Sequence, residues 1–480
     1  MAVQTVHKRD MAKAAQAPPE PETEPEPAPT AADRTDADLL IAASVLLADA
    51  ALAARWTGAE LTAAGSSWRV GLQALRRPGW AFGAALSAAR AVTNPAGLGF
   101  AANGGIVGEA FRSLGAVARR RPAAVAMAVD AFALRIEAAA REHPNLAQPL
   151  AKRLTDAVIA GRRLEALRAA RELGDLLGLT RTLTTLTPVI MELLALSSLL
   201  DENPTNDDFS WVTLAGGVPG TDPLIGLPAA LIRHLNPGPG RAERVEPDAM
   251  LARVLTRSDN DIVRYIDDIS ALGNHGLALL RRVDCADGAR RHVLMLPGTS
   301  FGRLSNSTPQ DLVGAFDGML RTDTTYTRAV KDLLVRAGVP VGSELMIVGH
   351  SLGGITAMNL ACDLDVVSTY RLTHVITVGS PIDNKRPIDP AVQVVSLVNK
   401  HDVIPGLDGR GPASAGGVPD NWLELAWLDE TYDYPLSHAP QAYASTLGSD
   451  DLPHRARVNA LITAYEGEIV GNQPYQLLDK

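Results

Sequence analysis

Between residues 38 and 200 the apolar side chains recur at helical spacing. One stretch places leucine or valine at 39, 40, 45, 46 and 47, and another places valine, phenylalanine, leucine or isoleucine at 125, 129, 132, 134 and 136. Breaks fall at Arg77-Pro78-Gly79, Asn94-Pro95, Pro122 and His143-Pro144-Asn145. Apolar positions at this period, separated by proline and glycine, predict several helices packed together.

After residue 276 the period changes to that of strands. Apolar runs cover 277–283 and 292–296, with a turn at Ala286-Asp287-Gly288 between them. Further β-runs are 345–348, 374–378 and 392–398, and helical stretches cover 326–337 and 355–364. Strands that alternate with helices predict an α/β fold, in which helices flank a mostly parallel central sheet. Functional side chains are expected at the carboxyl ends of its strands.

The chain therefore divides into three predicted parts. Residues 1–36 are rich in Pro, Glu and Ala with few large apolar residues, so we predict a disordered tail. A helical domain follows over 37–200, and an α/β domain over 201–480, with its core at about 277–455. A length of 480 residues agrees with two or three domains.

Charge distinguishes the two predicted domains. The whole chain has a formal charge of −9, while residues 37–200 carry +6 and residues 201–480 carry −12. A basic helical region next to an acidic one is compatible with an anionic partner such as a lipid headgroup surface, or with attraction between the two parts. Arginine-rich helix faces that are simply solvated are the favoured interpretation.

The sequence also gives expectations for where in the cell the protein is found. The apolar run 39–48 stops at Asp49, and the uncharged run 91–108 is interrupted by Asn, Pro and Gly, so no membrane-spanning helix is expected. The first residues lack the apolar stretch of a secretory signal, which predicts a cytoplasmic protein. Cys285 and Cys362 are the two cysteines, and we expect both to be reduced thiols.

The strongest chemical signal is Gly349-His350-Ser351-Leu352-Gly353-Gly354. It directly follows the apolar run 345–348 and directly precedes the helical run from Ile355. A serine at a sharp turn from strand to helix has a strained backbone and stands clear of the sheet, and flanking glycines allow the strand and helix to approach closely.

The stretch LMIVGHSLGG resembles the nucleophile elbow of α/β-hydrolases, in particular of serine lipases and esterases. The resemblance covers about residues 277–455, and the long helical region before it has no counterpart in the class 3 lipase group. It implies Ser351 as nucleophile, an acid and then a histidine later in the chain, and an oxyanion hole supplied partly by an earlier loop at a strand end.

The run 292–296 ends in Pro297-Gly298-Thr299-Ser300, which is similar to that oxyanion loop. The resemblance implies that the amide of Thr299 or Ser300 is one donor and that the amide of Leu352, at a helix N-terminus, is the other. A plain exit from strand to loop is the alternative.

Three aspartates compete for the role of the acid. Asp402 follows the strand run 392–398 and precedes Val403-Ile404-Pro405, which resembles the D-x-V-P motif of class 3 lipases with Ile404 in place of valine. Asp383 and Asp389 are alternatives, but Asp383 follows a strand that comes one position too early. We therefore favour Asp402, which would orient the imidazole and stabilise its cation.

For the base, His438 and His454 are the histidines beyond Asp402. His438 follows a serine and precedes a helical run, as in the loop that carries the base in this family, so it is favoured. His401 is expected to be structural because neighbours in an extended chain point to opposite sides, and His350 is expected to pack beside the nucleophile.

Together these residues predict a serine hydrolase that cleaves lipid or acyl esters through an acyl-enzyme, without a metal or organic cofactor. A thioesterase or acyltransferase with the same triad is one alternative, and a catalytically silent scaffold for partner binding is another. The helical region is interpreted as a lid, a docking module or a peripheral lipid-surface anchor. No nucleic-acid recognition motif is found in this acidic chain. The sequence leaves the oligomeric state open.

Overall fold

The computed structural model describes residues 31–65, 123–200, 207–215, 220–221, 228–255, 260–300, 307–408, 419–429, 431, 433–449 and 453–480. Within them, the first six helices belong to the helical region. They are α1 (Ala31–Gly65), α2 (Ala123–Glu142), α3 (Pro149–Ile159), α4 (Arg163–Leu186), α5 (Ile190–Leu200) and α6 (Asp207–Ala215).

The remaining helices surround the sheet. They are α7 (Ala229–Leu235), α8 (Ala249–Leu255), α9 (Ile262–Leu272), α10 (Leu312–Leu320), α11 (Thr325–Arg336), α12 (Leu352–Ala361), α13 (Leu364–Thr369), α14 (Pro440–Leu447) and α15 (His454–Leu461). The strands are β1 (Arg241–Arg244), β2 (Leu277–Cys285), β3 (Arg290–Leu296), β4 (Glu344–His350), β5 (Arg371–Val378), β6 (Gln393–Asn399), β7 (Trp422–Trp427) and β8 (Gly467–Leu478).

These eight strands form one mixed sheet, in the order β1-β8-β2-β3-β4-β5-β6-β7. Neighbours from β3 to β7 are parallel, whereas the pairs β2–β3, β2–β8 and β1–β8 are antiparallel. The prediction of a mostly parallel sheet with flanking helices agrees with this architecture. The predicted core of about 277–455 was too short, because β1 precedes it and β8 follows it.

Alternate side chains of each central strand face opposite helix layers. In β4, Leu345 and Ile347 pack in a cluster with helices α11 and α12, while Met346 and Val348 pack in a second cluster with α9 and α14. Both faces of the sheet are therefore covered, which explains why its central strands are almost continuously apolar. At the edge of the sheet, Trp422 and Trp427 of β7 belong to the first and the second of these clusters, respectively.

The helical region has a separate apolar core, which includes Phe132, Leu196 and Trp211. Its first helix begins at Ala31, so residues 31–36, which the sequence places in the disordered tail, are helical. Residues 1–30 of that tail lie outside the described residues.

Two helical segments are long and apolar enough to cross a membrane by length and composition, contrary to the expectation from the sequence. They are Asp36–Thr57, with mean hydropathy 1.9 and 28% buried, and Arg181–Leu200, with mean hydropathy 1.7 and 50% buried. Helix α1 continues through Asp49, so its apolar stretch is longer than the run 39–48. Length and composition of this kind are also found in core helices of soluble proteins.

A charged cluster lies under the sheet between α9 and β2. Asp268 is fully buried; its Oδ2 accepts from Arg281 at 2.6 Å, and its Oδ1 forms an ion pair with Arg264 at 2.5 Å. Arg281 also donates to the Asn472 side chain of β8 at 2.8 Å. Arg281 thus joins α9, β2 and β8 by charge-assisted hydrogen bonds.

We predict that Asp268→Ala lowers the free energy of unfolding by about 3–5 kcal/mol, because it leaves two buried guanidinium groups without their counter-charge. Urea denaturation of the full chain measures the change. Asp284→Ala is the matched control, since the Asp284–Arg290 pair on the neighbouring strands is exposed and should matter little. Equal effects of the two substitutions would contradict the prediction.

Candidate active site

Ser351 lies at the sharp turn between β4 and α12. Its backbone angles, φ 53° and ψ −122°, place it in a region that side chains rarely adopt. The turn is possible because its neighbours are small: a Cβ at Gly349 would collide with the backbone of Gly353, and a Cβ at Gly353 would collide with the Leu296 carbonyl at the end of β3. The amide of Ser351 donates to the carbonyl of Val378 at 2.9 Å, which ties the turn to β5.

The structure brings Ser351, His438 and Asp402 into one chain of hydrogen bonds. His438 Nε2 lies 2.9 Å from Ser351 Oγ, and His438 Nδ1 lies 2.7 Å from Asp402 Oδ2. The exposed fractions of the three residues are 5%, 3% and 2%, respectively. Residues from three distant parts of the chain therefore meet in a nearly dry site, in which each polar atom relies on the next.

Asp402 is held by the turn that follows β6. Its amide donates to the Asn399 carbonyl at 2.9 Å, and its Oδ1 accepts from the Ile404 amide at 3.0 Å. Its Oδ2 accepts from His438 and also from the Tyr443 hydroxyl at 2.7 Å. Both carboxylate oxygens are thus engaged, which fixes the plane of the group.

His438 ends a short 3-10 helix, Leu436–His438, just before α14. His350 Nε2 donates to the His438 carbonyl at 2.7 Å, and the two rings are 4.7 Å apart. Burial, with a smaller contribution from His438, lowers the pKa of His350 to about 3. His350 therefore packs beside the nucleophile as a neutral ring.

The competing candidates lie elsewhere. The side chain of Asp389 accepts from the Ala391 amide in the turn before β6, and the carbonyl of Asp383 accepts from Arg386. His454 packs against Trp427, with ring centroids 5.8 Å apart, at the start of α15. The amide of His401 donates to the Asn399 side chain.

The loop Pro297–Ser300 passes close to Ser351. A Cβ at position 298 would come within 2.8 Å of the Ser351 Cβ, so only glycine allows this approach. Thr299 is buried here, and Leu352 is the first residue of α12, where helix amides have no intrahelical acceptor. These two amides remain the predicted oxyanion donors.

Ser300 is the exception among the predicted oxyanion residues. Its amide donates to the Gln310 carbonyl at 2.6 Å, and its hydroxyl donates to the Asn274 carbonyl, so the loop uses both of its donors internally. The sequence could not anticipate this, because Gln310 is ten residues away. We therefore remove Ser300 from the set of candidates.

Gln310 and Tyr326 hold the same loop in place, and neither was anticipated. The side chain of Gln310 accepts from the Gly276 amide at 2.9 Å and donates to the Tyr326 hydroxyl at 2.9 Å. Tyr326 in turn donates to the Pro297 carbonyl at 3.0 Å. No motif in the sequence marks Gln310 or Tyr326 as a residue that supports the oxyanion loop.

The helical region is seated on the two loops that carry Asp402 and His438. Arg181 of α4 pairs with Asp433 at 3.2 Å, and the Tyr434 amide donates to Thr184 Oγ1 at 3.1 Å. Leu407, just after the Asp402 turn, packs against the core of the helical region. The helical region and the sheet therefore share an interface beside the candidate site.

Comparison with known proteins supports a lipase-type domain. Residues 307–410 match the family model Lipase (class 3). No curated protein and no solved structure matches the chain. The matched segment includes Ser351 and Asp402, whereas Thr299 and His438 lie outside it. Within the described residues, no group of three or more His, Cys, Asp and Glu side chains is placed to hold a metal ion.

The low pKa of His350 predicts a pH dependence of stability. Unfolded His350 binds a proton near its ordinary pKa of 6.5, whereas folded His350 does not until about pH 3, so its contribution is present above about pH 6.5 and is lost as the pH falls. His350→Gln removes this titration. We expect the stability advantage of the wild type over the variant to fall by about 1 kcal/mol from pH 5.5 to 4.5.

Urea denaturation at each pH measures that difference. Comparing the two proteins cancels the titration of other histidines, such as the half-buried His143, whose pKa desolvation lowers to about 4. A wild-type advantage that stays constant over this range would show that His350 does not titrate as described.

Proposed function

We propose that this chain, in which residues 307–410 match the class 3 lipase family, is a serine hydrolase of lipid or acyl esters. The observation that carries the proposal is the 2.9 Å contact between Ser351 Oγ and His438 Nε2, at a strained turn and with Asp402 behind the imidazole. This arrangement of nucleophile, base and acid is the one that acyl transfer requires.

The proposed reaction proceeds in two halves. His438 Nε2 takes the proton of Ser351 as Oγ bonds to the ester carbonyl carbon, and the amides of Leu352 and Thr299 donate to the resulting oxyanion. The bond to the leaving alcohol then breaks, and His438 returns its proton to that alcohol. Water, activated in the same way, attacks the acyl-enzyme and releases the acid and free Ser351.

Asp402 contributes to both halves through His438. Its carboxylate accepts from Nδ1, so Nε2 is left as the proton acceptor toward Ser351. The same negative charge stabilises the imidazolium that forms in each half. Because all three side chains are almost excluded from water, this interaction is screened little.

We further propose that the helical region contacts an anionic lipid surface, and that the protein acts peripherally at such a surface. Helix α1 exposes Leu39, Leu46 and Trp56, each by 65% or more. The net charge of +6 over residues 37–200 comes mainly from residues 66–122, which carry +7, whereas α1 itself carries −3. We propose that the exposed apolar side chains of α1 insert at the bilayer interface and that the basic segment 66–122, which follows α1 in the chain, supplies the attraction to anionic headgroups.

Ser351→Ala should lower ester turnover by a factor of about 10⁴ to 10⁶, because the nucleophile and base act as a unit. Hydrolysis of a panel of esters and thioesters of increasing acyl length measures the change. Turnover of thioesters above that of esters would favour a thioesterase on the same residues, and normal turnover by the variant would refute Ser351 as the nucleophile.

Labelling with a fluorophosphonate probe tests the same assignment without a substrate. We expect the wild type to be labelled at Ser351 and His438→Ala to react far more slowly, since the serine then lacks its base. His454→Ala is the matched control and should label like the wild type. A wild type that does not label would favour the silent-scaffold alternative.

Vesicle flotation of the full chain tests the lipid surface. We expect co-flotation with phosphatidylserine-containing vesicles, weaker binding to pure phosphatidylcholine, and a several-fold loss in the double variant Leu39→Asp and Leu46→Asp. Val341→Asp is the control, since Val341 is 80% exposed on the sheet domain. Equal losses in both variants, or no flotation of the wild type, would remove this contact.

A further inference from the structure

The Asp402 carboxylate has a second donor besides the imidazole. Its Oδ2 accepts from His438 Nδ1 at 2.7 Å and from the Tyr443 hydroxyl at 2.7 Å. The same oxygen is therefore shared by the base and by a phenol from α14. Hydrogen bonds to an ionised acceptor are about twice as strong as neutral ones, so both contacts should be substantial.

Tyr443 is fixed from every side. Its side chain is 1% exposed, and its hydroxyl accepts from the Asn399 amide at 3.3 Å. Its ring meets that of Trp427 edge to face, with centroids 5.5 Å apart. Because the hydroxyl oxygen accepts from Asn399, its single hydrogen is directed to Asp402.

Close packing at Gly379 maintains this contact. A Cβ at position 379 would lie 3.0 Å from both Asp402 Oδ2 and the Tyr443 hydroxyl oxygen, so only glycine leaves room for the pair. Gly379 follows β5 with φ 59°, a conformation that also favours glycine. The backbone is thus shaped around the contact between the phenol and the carboxylate.

We propose that Tyr443 is a positioning residue for the reaction, which holds the Asp402 carboxylate toward His438 and withdraws part of its charge. This inference rests on the proposed function for its kinetic consequence. Tyr443 remains a donor over the working pH range, because burial and the charge of Asp402 raise its pKa well above the ordinary value.

Removing the phenol hydroxyl has two expected effects. The carboxylate loses one of the contacts that set its plane, so the imidazole is oriented less well and kcat falls. Its full charge also acts on His438, which favours the protonated ring and withdraws the base from use. Other titratable groups around the pair are His350 at the end of β4 and Tyr434 on the loop before His438.

The test is Tyr443→Phe, which keeps the ring and its packing. We expect kcat to fall about tenfold with KM little changed, as for the loss of one hydrogen bond to a charged group. We also expect the acid limb of the pH profile of kcat/KM to move to higher pH. Tyr465→Phe is the matched control, since it removes a buried hydroxyl that bonds Thr373, away from the site.

A second measurement needs no substrate. We expect the proton between His438 and Asp402 to give a low-field NMR resonance, which Tyr443→Phe should shift and Tyr465→Phe should leave in place. If the wild type hydrolyses no ester, the proposed function fails while this resonance still reports on Tyr443. Thermal unfolding monitors the fold of both variants.

Two results would overturn the inference. One is a resonance and a pH profile in Tyr443→Phe that superimpose on those of the wild type. The other is an equal change in Tyr465→Phe, which would show that loss of any buried phenol hydroxyl, through stability alone, accounts for the effect.

Discussion

The chain of hydrogen bonds from Asp402 through His438 to Ser351 is the interaction on which the rest of this structure depends. It is almost excluded from water, so each member must be satisfied by the protein. The strained turn at Ser351 requires glycine at 349 and 353, and the approach of the Pro297–Ser300 loop requires glycine at 298. Strand β4, helix α12 and the Pro297–Ser300 loop therefore approach one another closely at Ser351, where the proposed reaction takes place.

Contacts from the surrounding structure hold Asp402, His438 and the oxyanion loop in position. Asp402 is held through both oxygens, His438 through its carbonyl by His350, and the oxyanion loop through Gln310 and Tyr326. Such supporting contacts matter because a catalytic group displaced by about 1 Å loses much of its effect. The site is thus a property of several packed elements and not of three side chains alone.

The helical region also contacts the candidate site, because it packs against the loops that carry Asp402 and His438. Its contacts, from Arg181 to Asp433 and from Tyr434 to Thr184, lie a few residues before His438. The helical region is therefore in direct contact with the loop that leads to His438. Together with the class 3 lipase match, this placement joins the proposed lipid contact to the proposed hydrolysis of lipid esters.

The sequence by itself determined the features that depend on neighbouring residues. The alternation of strands and helices, the turn at Ser351 and the glycines beside it follow from local backbone geometry, and the order of Asp402 and His438 could be anticipated by resemblance. Contacts between distant residues were decided only by the tertiary structure, because the packing of the sheet and helices selects which of many polar groups meet. Tyr443 on Asp402, Gln310 on the amide of Ser300, and Asp268 between two arginines are such contacts. The strands β1 and β8 likewise join the sheet by pairing with strands that are distant in sequence. Helix α1 continues past Asp49 because a single charged residue does not end a helix.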